Sequence, residues 1–199
     1  VSATATDNKT IFIDGAANPV TFGFTTDPNE TNNQANKAKK KTIQAADITY
    51  TSAVIDAADV NQGTTNNIIY AAKMNVKTEP VVVNNIQFTL DGTHDNNDLT
   101  TLYLYYNPSA VSVSGAAYLG AATATFAAPH TYSVNISRSM AVDEQGYYII
   151  AANINATATD NKTIFIDGAA NPVTFGFTTD PNETNNQANK AKKKTIQAA

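Results

Sequence analysis

Apolar and polar residues alternate along much of this chain. Between Asn67 and Lys77, Ile68, Tyr70, Ala72, Met74 and Val76 fall on one side, with Lys73, Asn75 and Lys77 on the other. Val81 to Leu90 sets Ile86, Phe88 and Leu90 against Asn85, Gln87 and Thr89. Leu99 to Tyr106 sets Leu102, Leu104 and Tyr106 against Thr101, Tyr103 and Tyr105. Tyr132, Val134 and Ile136 repeat the pattern, as do Tyr148, Ile150, Ala152 and Ile154. Side chains two apart share one face of a strand, so this period predicts half-buried β-strands. Asp91-Gly92 and Gln145-Gly146 supply turns. Further strands at 48–55, 117–126, 163–167 and 173–178 bring the total to about eight or nine, the range of an Ig-like or jelly-roll-like sandwich. No stretch keeps a helical period long enough to compete. The expectation is an all-β, antiparallel β-sandwich with one wet face per sheet.

A second regularity is far longer. Residues 3–46 and 156–199 are identical, at an offset of 153. Val1 and Ser2 align with Ile154 and Asn155, which differ, as scattered sites in natural repeats do. The period exceeds the 20–50 residues of a solenoid unit and suits a domain with its linker, so a tandem array of beads is expected. On this reading residues 1–26 are closing strands of a preceding repeat and 27–46 a linker. Residues 47–179 form the complete sandwich, and 180–199 start the next linker. Lys37, Lys39, Lys40 and Lys41 make the linker basic: a solvated spacer, or a patch that docks on acidic loops such as Asp91 to Asp98. Exposed ion pairs of that kind are individually weak. The first copy, with Ile11, Ile13, Phe22 and Phe24, has no sandwich of its own to close, because residues 163–178 already fill that role. Those strands are expected to complete a sheet of the preceding repeat or of another molecule.

Composition narrows the function. The 199 residues carry 13 basic and 17 acidic side chains, a net charge of −4. That balance lacks the basic stripe of a nucleic-acid binder. There is no cysteine, which removes thiol catalysis, cysteine zinc sites and disulfides together. No apolar run approaches the ~18 residues of a membrane span. With no secretion signal at its start, the sequence reads as a mature chain or an internal window of a longer one.

Four stretches carry a resemblance: VNQGTTNNIIYAAKMNV (60–76), VNNIQFTLDGTHDNNDLTTLYLYY (83–106), YLGAATATF (118–126) and GYYIIAANINATATDNKTIFID (146–167). Together they resemble the sandwich domain found beside BNR-repeat neuraminidases and repeated in large secreted surface proteins of Bacteroidota. The likeness spans about residues 51–167. Ala152-Asn153 departs from it, standing where an aromatic-Asp pair is usual. The resemblance implies an extracellular, non-catalytic module without active-site residues. The neighbouring enzyme is excluded, since several arginines clamp a sialidase substrate and Arg138 is the one arginine here.

Candidate chemistry is sparse. His94 lies among Asp91, Asp95 and Asp98, with no nucleophile elbow nearby, and is expected to be a solvated loop histidine. The three aspartates offer hard oxygen donors for calcium, although Asn/Asp clusters are also ordinary turn chemistry. Tyr103 and Tyr105 face away from the core and offer a glycan a stacking surface, or else cover the sheet. Several Asn-x-Ser/Thr sites, among them Asn8, Asn29, Asn135 and Asn155, permit glycosylation. The leading expectation is a non-catalytic repeat module of a long extracellular filament, stalk or adhesin, with other repeats as partners. The alternative is a weak glycan- or calcium-binding module acting through avidity.

Overall fold

A computed structural model describes residues 10–11, 41–42, 44–122, 125–168, 170–189 and 191–199. The chain divides into two compact units, residues 1–45 and 46–199. In the first unit, β1 (Thr10–Ile11) pairs antiparallel with β2 (Lys41–Thr42). Ile13, Phe22, Phe24, Lys37, Lys39 and Lys40 lie outside the described residues.

The second unit is all-β, with no helix among its described residues. Its strands are β3 (Asp47–Ser52), β4 (Ala58–Asn61), β5 (Asn67–Lys77), β6 (Val81–Gly92), β7 (Leu99–Asn107) and β8 (Ala117–Ala122). They continue as β9 (His130–Met140), β10 (Gln145–Ile154), β11 (Thr163–Ile166), β12 (Val173–Phe177), β13 (Asn182–Asn186) and β14 (Lys194–Gln197). Two six-stranded sheets result. The first runs β13-β3-β5-β10-β7-β8; the second runs β12-β6-β11-β14-β4, with β9 on the other edge of β6. Inward residues of both sheets, such as Tyr70, Met74 and Leu104 from one and Ile86, Leu90 and Ile164 from the other, merge into one core. This is a β-sandwich, built as the alternation predicts.

Its twelve strands exceed the expected eight or nine, and three further features depart from expectation. First, the sheets are mixed: β13 runs parallel to β3 and β14 parallel to β4. Second, the register slips where Ile150 and Ala151 of β10 face Tyr70 and Ile68. This β-bulge brings Ile69 into the main core beside Tyr70 and turns Ile68 to the opposite face, correcting its predicted place. Ile68 there packs on a smaller cluster of Ile55, Ala71 and Ile149.

Third, residues 180–199 are not the start of a linker. They hold β13 and β14, and Ile196 is fully buried. The folded unit spans 46–199, one residue more than a full period, rather than 47–179. A chain cut after Thr179 would lack an edge strand of one sheet and an interior strand of the other.

Candidate functional site

The repeated segment 156–199 supplies β11, β12, β13 and β14, so it closes both sheets. The β12 strand lies along β6 from Val83 to Phe88, and β11 continues along the same edge at Leu90 to Gly92. Gly92 has φ +142°, and a Cβ on it would stand 2.0 Å from the Thr163 carbonyl oxygen. Only glycine lets the segment come this close.

The segment then turns to the opposite sheet. Asn182 to Asn186 pairs with Asp47 to Thr51, Ala191 bridges Ile55, and Lys194 to Gln197 pairs with Ala58 to Asn61. The first and last strands of the unit thus run side by side, in the same direction, as both cross from one sheet to the other.

Its side chains key into matching positions. Phe175 sits between the rings of Tyr50 and Tyr148, with centroids 5.4 and 5.2 Å away. The Tyr50 hydroxyl donates to Glu183; burial pushes this phenol's pKa up, and the Glu183 carboxylate adds to the rise. Buried Gln187 accepts from the Tyr70 hydroxyl at 2.8 Å and donates to the Val173 carbonyl at 2.8 Å. Tyr70 also meets the Ser52 hydroxyl at 2.6 Å, and burial raises its pKa to about 12. This network joins a buried phenol of the core to a buried polar residue of the segment. A glutamine inside an Asn-rich run gave no sequence signal for it.

The lysines of this copy belong to the fold. Lys192 pairs with Asp56 at 3.6 Å, and Lys193 lies 5.1 Å from the Phe165 ring centroid. Lys194 is buried, donating to the Asp56 carbonyl at 2.5 Å, and burial lowers its pKa against the pull of the Asp56 charge. Lys192 and Lys194 engage Asp56 rather than the Asp91 to Asp98 loop, because β14 begins beside the start of β4.

The first copy reproduces part of this arrangement. Thr10↔Thr42 and Ile11↔Lys41 match Thr163↔Thr195 and Ile164↔Lys194, each shifted by the 153-residue period. The expected linker 27–46 therefore contains the pairing partner of β1. Ile11 is 52% exposed, while its counterpart Ile164 is fully buried.

The acidic loop is a structural clasp. Asp98 is buried, and its two carboxylate oxygens accept the backbone N–H groups of Asp95 and Thr159, both at 2.6 Å. Asp91 accepts from the Gly92 N–H, and Asp95 pairs with Lys162 at 3.2 Å. The three carboxylates do not converge, and no group of three or more His, Cys, Asp or Glu among the described residues is placed to hold a metal. His94 is buried, not solvated: its Nδ1 lies 3.1 Å from the Thr163 carbonyl, which ties the loop to the closing segment. Desolvation lowers its pKa, opposed by that carbonyl and by the charges of Asp98 and Asp91.

Tyr103 and Tyr105 lie on the outer face of the first sheet and meet a third ring that the pattern did not flag. Tyr118 of β8 stands 5.9 Å from Tyr103 and 6.1 Å from Tyr105, both edge-on, and is 60% exposed. The hairpin between β7 and β8 makes this triad.

No family model and no curated protein matches the chain. Among solved structures it is similar to a chain in the crystal structure of a CaDoc0917–CaCohA2 complex at pH 5.5. Identity is 16%, over 76% of this chain and 99% of that one, with a TM-score of 0.34. That likeness is too distant to bear on fold or function.

Proposed function

We propose that the chain is a non-catalytic structural repeat module of a long extracellular filament, stalk or adhesin, its Ig-like beads joined end to end. The observation that carries this reading is the parallel run of 47–61 beside 182–197. Parallel neighbours start at one pole and end at the other. Asp47 faces Lys77, at one end of β5; Ala199 donates to Gln62, just before the other end. The eleven residues of β5 make that separation about 35 Å at ~3.3 Å per residue. A following repeat would begin directly after Ala199, so each bead would extend the array along one axis.

Tension on such an array pulls Asp47 and Ala199 apart. The ladder between the first and last strands is then loaded in shear, all bonds together, whereas an antiparallel terminal pair would unzip one bond at a time. A groove on the second sheet is lined by Phe88, Thr131, Asp167 and Pro172. It holds about 170 Å³, below the roughly 300 Å³ of a small-molecule site, and has Asp167 as its sole carboxylate. The resemblance to repeated secreted modules points the same way.

Force spectroscopy of tandem 153-residue repeats tests this. The expected trace is a series of equal unfolding peaks about 50 nm apart, from ~3.6 Å per released residue less the folded length. Featureless extension, or peaks no stronger than those obtained by pulling across the sheets, would overturn it. A second reading, weak glycan binding through repeated beads, draws on the Tyr103–Tyr105–Tyr118 triad. Calorimetric titration with oligosaccharides, compared with Tyr118→Ala, tests that surface.

A further inference from the structure

We infer that the groove filled by residues 156–199 is also a docking site for a second copy of this chain, which inserts its own residues 3–46. The inference rests on the assembly reading above and identifies the surface and the ligand through which separate chains would join.

The argument starts from identity. Every group that the groove recognises in the closing segment has a duplicate in the first copy: Phe22 for Phe175, Glu30 for Glu183, Gln34 for Gln187, Ile43 for Ile196. The Tyr50–Tyr148 slot, the Tyr70 hydroxyl and the space above Gly92 cannot distinguish two segments of the same sequence. The first copy also pairs Thr10 with Thr42 in the register that β11 and β14 use, so its strands are matched as the groove requires.

Geometry decides which chain can donate. Ala46 is bonded directly to Asp47, at one pole of the sandwich. Its counterpart Ala199 lies beside Gln62, near the other pole. A chain closing its own groove with residues 3–46 would have to span about 35 Å with one peptide link, which reaches 3.8 Å between Cα atoms. It would have to surrender the counterpart of β14. A second molecule has no such tether, so the first copy fits the groove only in trans.

The resident segment competes, because its covalent attachment gives it an effective concentration in the millimolar range. Dilute native chains are therefore self-closed, and exchange appears when the resident segment is weakened or the chain is refolded at high concentration. Removing Phe175 weakens that segment by roughly 10²–10³-fold, the usual cost of emptying an aromatic core site. Exchange should then set in at micromolar protein.

The full 199-residue chain has no cysteine, so an introduced pair reports contact cleanly. Thr93 and Thr163 approach with their hydroxyl oxygens 3.4 Å apart, and Thr10 is the duplicate of Thr163. The test is Thr10→Cys with Thr93→Cys, alone and with Phe175→Ala, oxidised and run on a non-reducing gel. Expected is a ladder of disulfide-linked dimers and higher species. It should rise with concentration in the Phe175→Ala background and disappear when Phe22→Ala is added. Thr10→Cys with exposed Ser114→Cys gives the background. Should Phe175→Ala fail to fold, the pair with Phe175 intact, refolded from denaturant at several concentrations, decides. Linkage no greater than background in both arms overturns the inference, and so does a purely intramolecular 10–93 disulfide. Equal force peaks from tandem repeats without a ladder would refute exchange alone; a ladder without force peaks would refute the load-bearing reading alone.

Discussion

Ile196→Ala distinguishes a folded closing segment from a linker most directly. Ile196 is fully buried, on a strand held between β11 and β4. The substitution removes three carbons, worth about 0.8 kcal/mol each when buried. The cavity left behind adds to that, for a total near 3 kcal/mol. In a unit of this size about 1 kcal/mol moves the melting temperature by roughly 2–4 °C, so a fall of about 6–12 °C is expected. The control is built into the sequence, since Ile43→Ala makes the same chemical change in the first copy. It should leave the main melting transition of the 46–199 unit within about 1–2 °C of its original position, because residue 43 belongs to the other compact unit. Differential scanning calorimetry of the two variants reads both. Equal small shifts would show that the last residues of the chain are a spacer and would refute the register assigned to β14.

Further outcomes follow from single contacts. Tyr70→Phe strands Ser52 and Gln187 in the core, and chemical denaturation should show a loss of about 1–3 kcal/mol. Asp98→Asn replaces one acceptor of the clasp with a donor; it should cost a similar ~1–3 kcal/mol, and millimolar calcium should leave the melting temperature of the native protein unchanged. Burial holds the His94 pKa below its ordinary 6.5, so the unfolded chain takes up a proton where the folded one does not. Stability from this residue is complete above pH 6.5 and declines as pH falls toward the lowered folded value; melting curves across that window should flatten in His94→Gln.

Periodicity located the strands that have one wet and one dry face. The predicted run at 67–77 coincides with β5, and 163–167 and 173–178 each overrun β11 and β12 by one residue. It failed where that asymmetry is missing. All five side chains of β13, Asn-Glu-Thr-Asn-Asn, are exposed, so an edge strand held by backbone bonds carries no hydrophobic signature. In β14 a lysine occupies a buried position, its stem packed and its ammonium on a carbonyl, which disguised a strand as a charged spacer. The bulge at Ile69 shifts parity without altering composition. Of the candidate residues, the outward aim of Tyr103 and Tyr105 was legible; Tyr118 was not, because its partnership depends on how β7 and β8 pair. The buried Gln187 contact joins residues 117 positions apart, beyond the reach of any local pattern.

The parallel terminal strands also set a schedule for synthesis. Asp47 pairs beside Asn182, 135 residues later. At about 5–20 residues per second, β3 emerges from the ribosome roughly 7–27 s before its outer neighbour exists. Throughout that interval its hydrogen-bonding edge is an open template. The first ligand to be completed is residues 3–46, of the right sequence and already attached. Its attachment point at Ala46 is what disqualifies it, since the covalent bond to Asp47 holds its tail at the wrong pole. The nascent sandwich thus stays open along β3 until the last-made part of its own chain arrives.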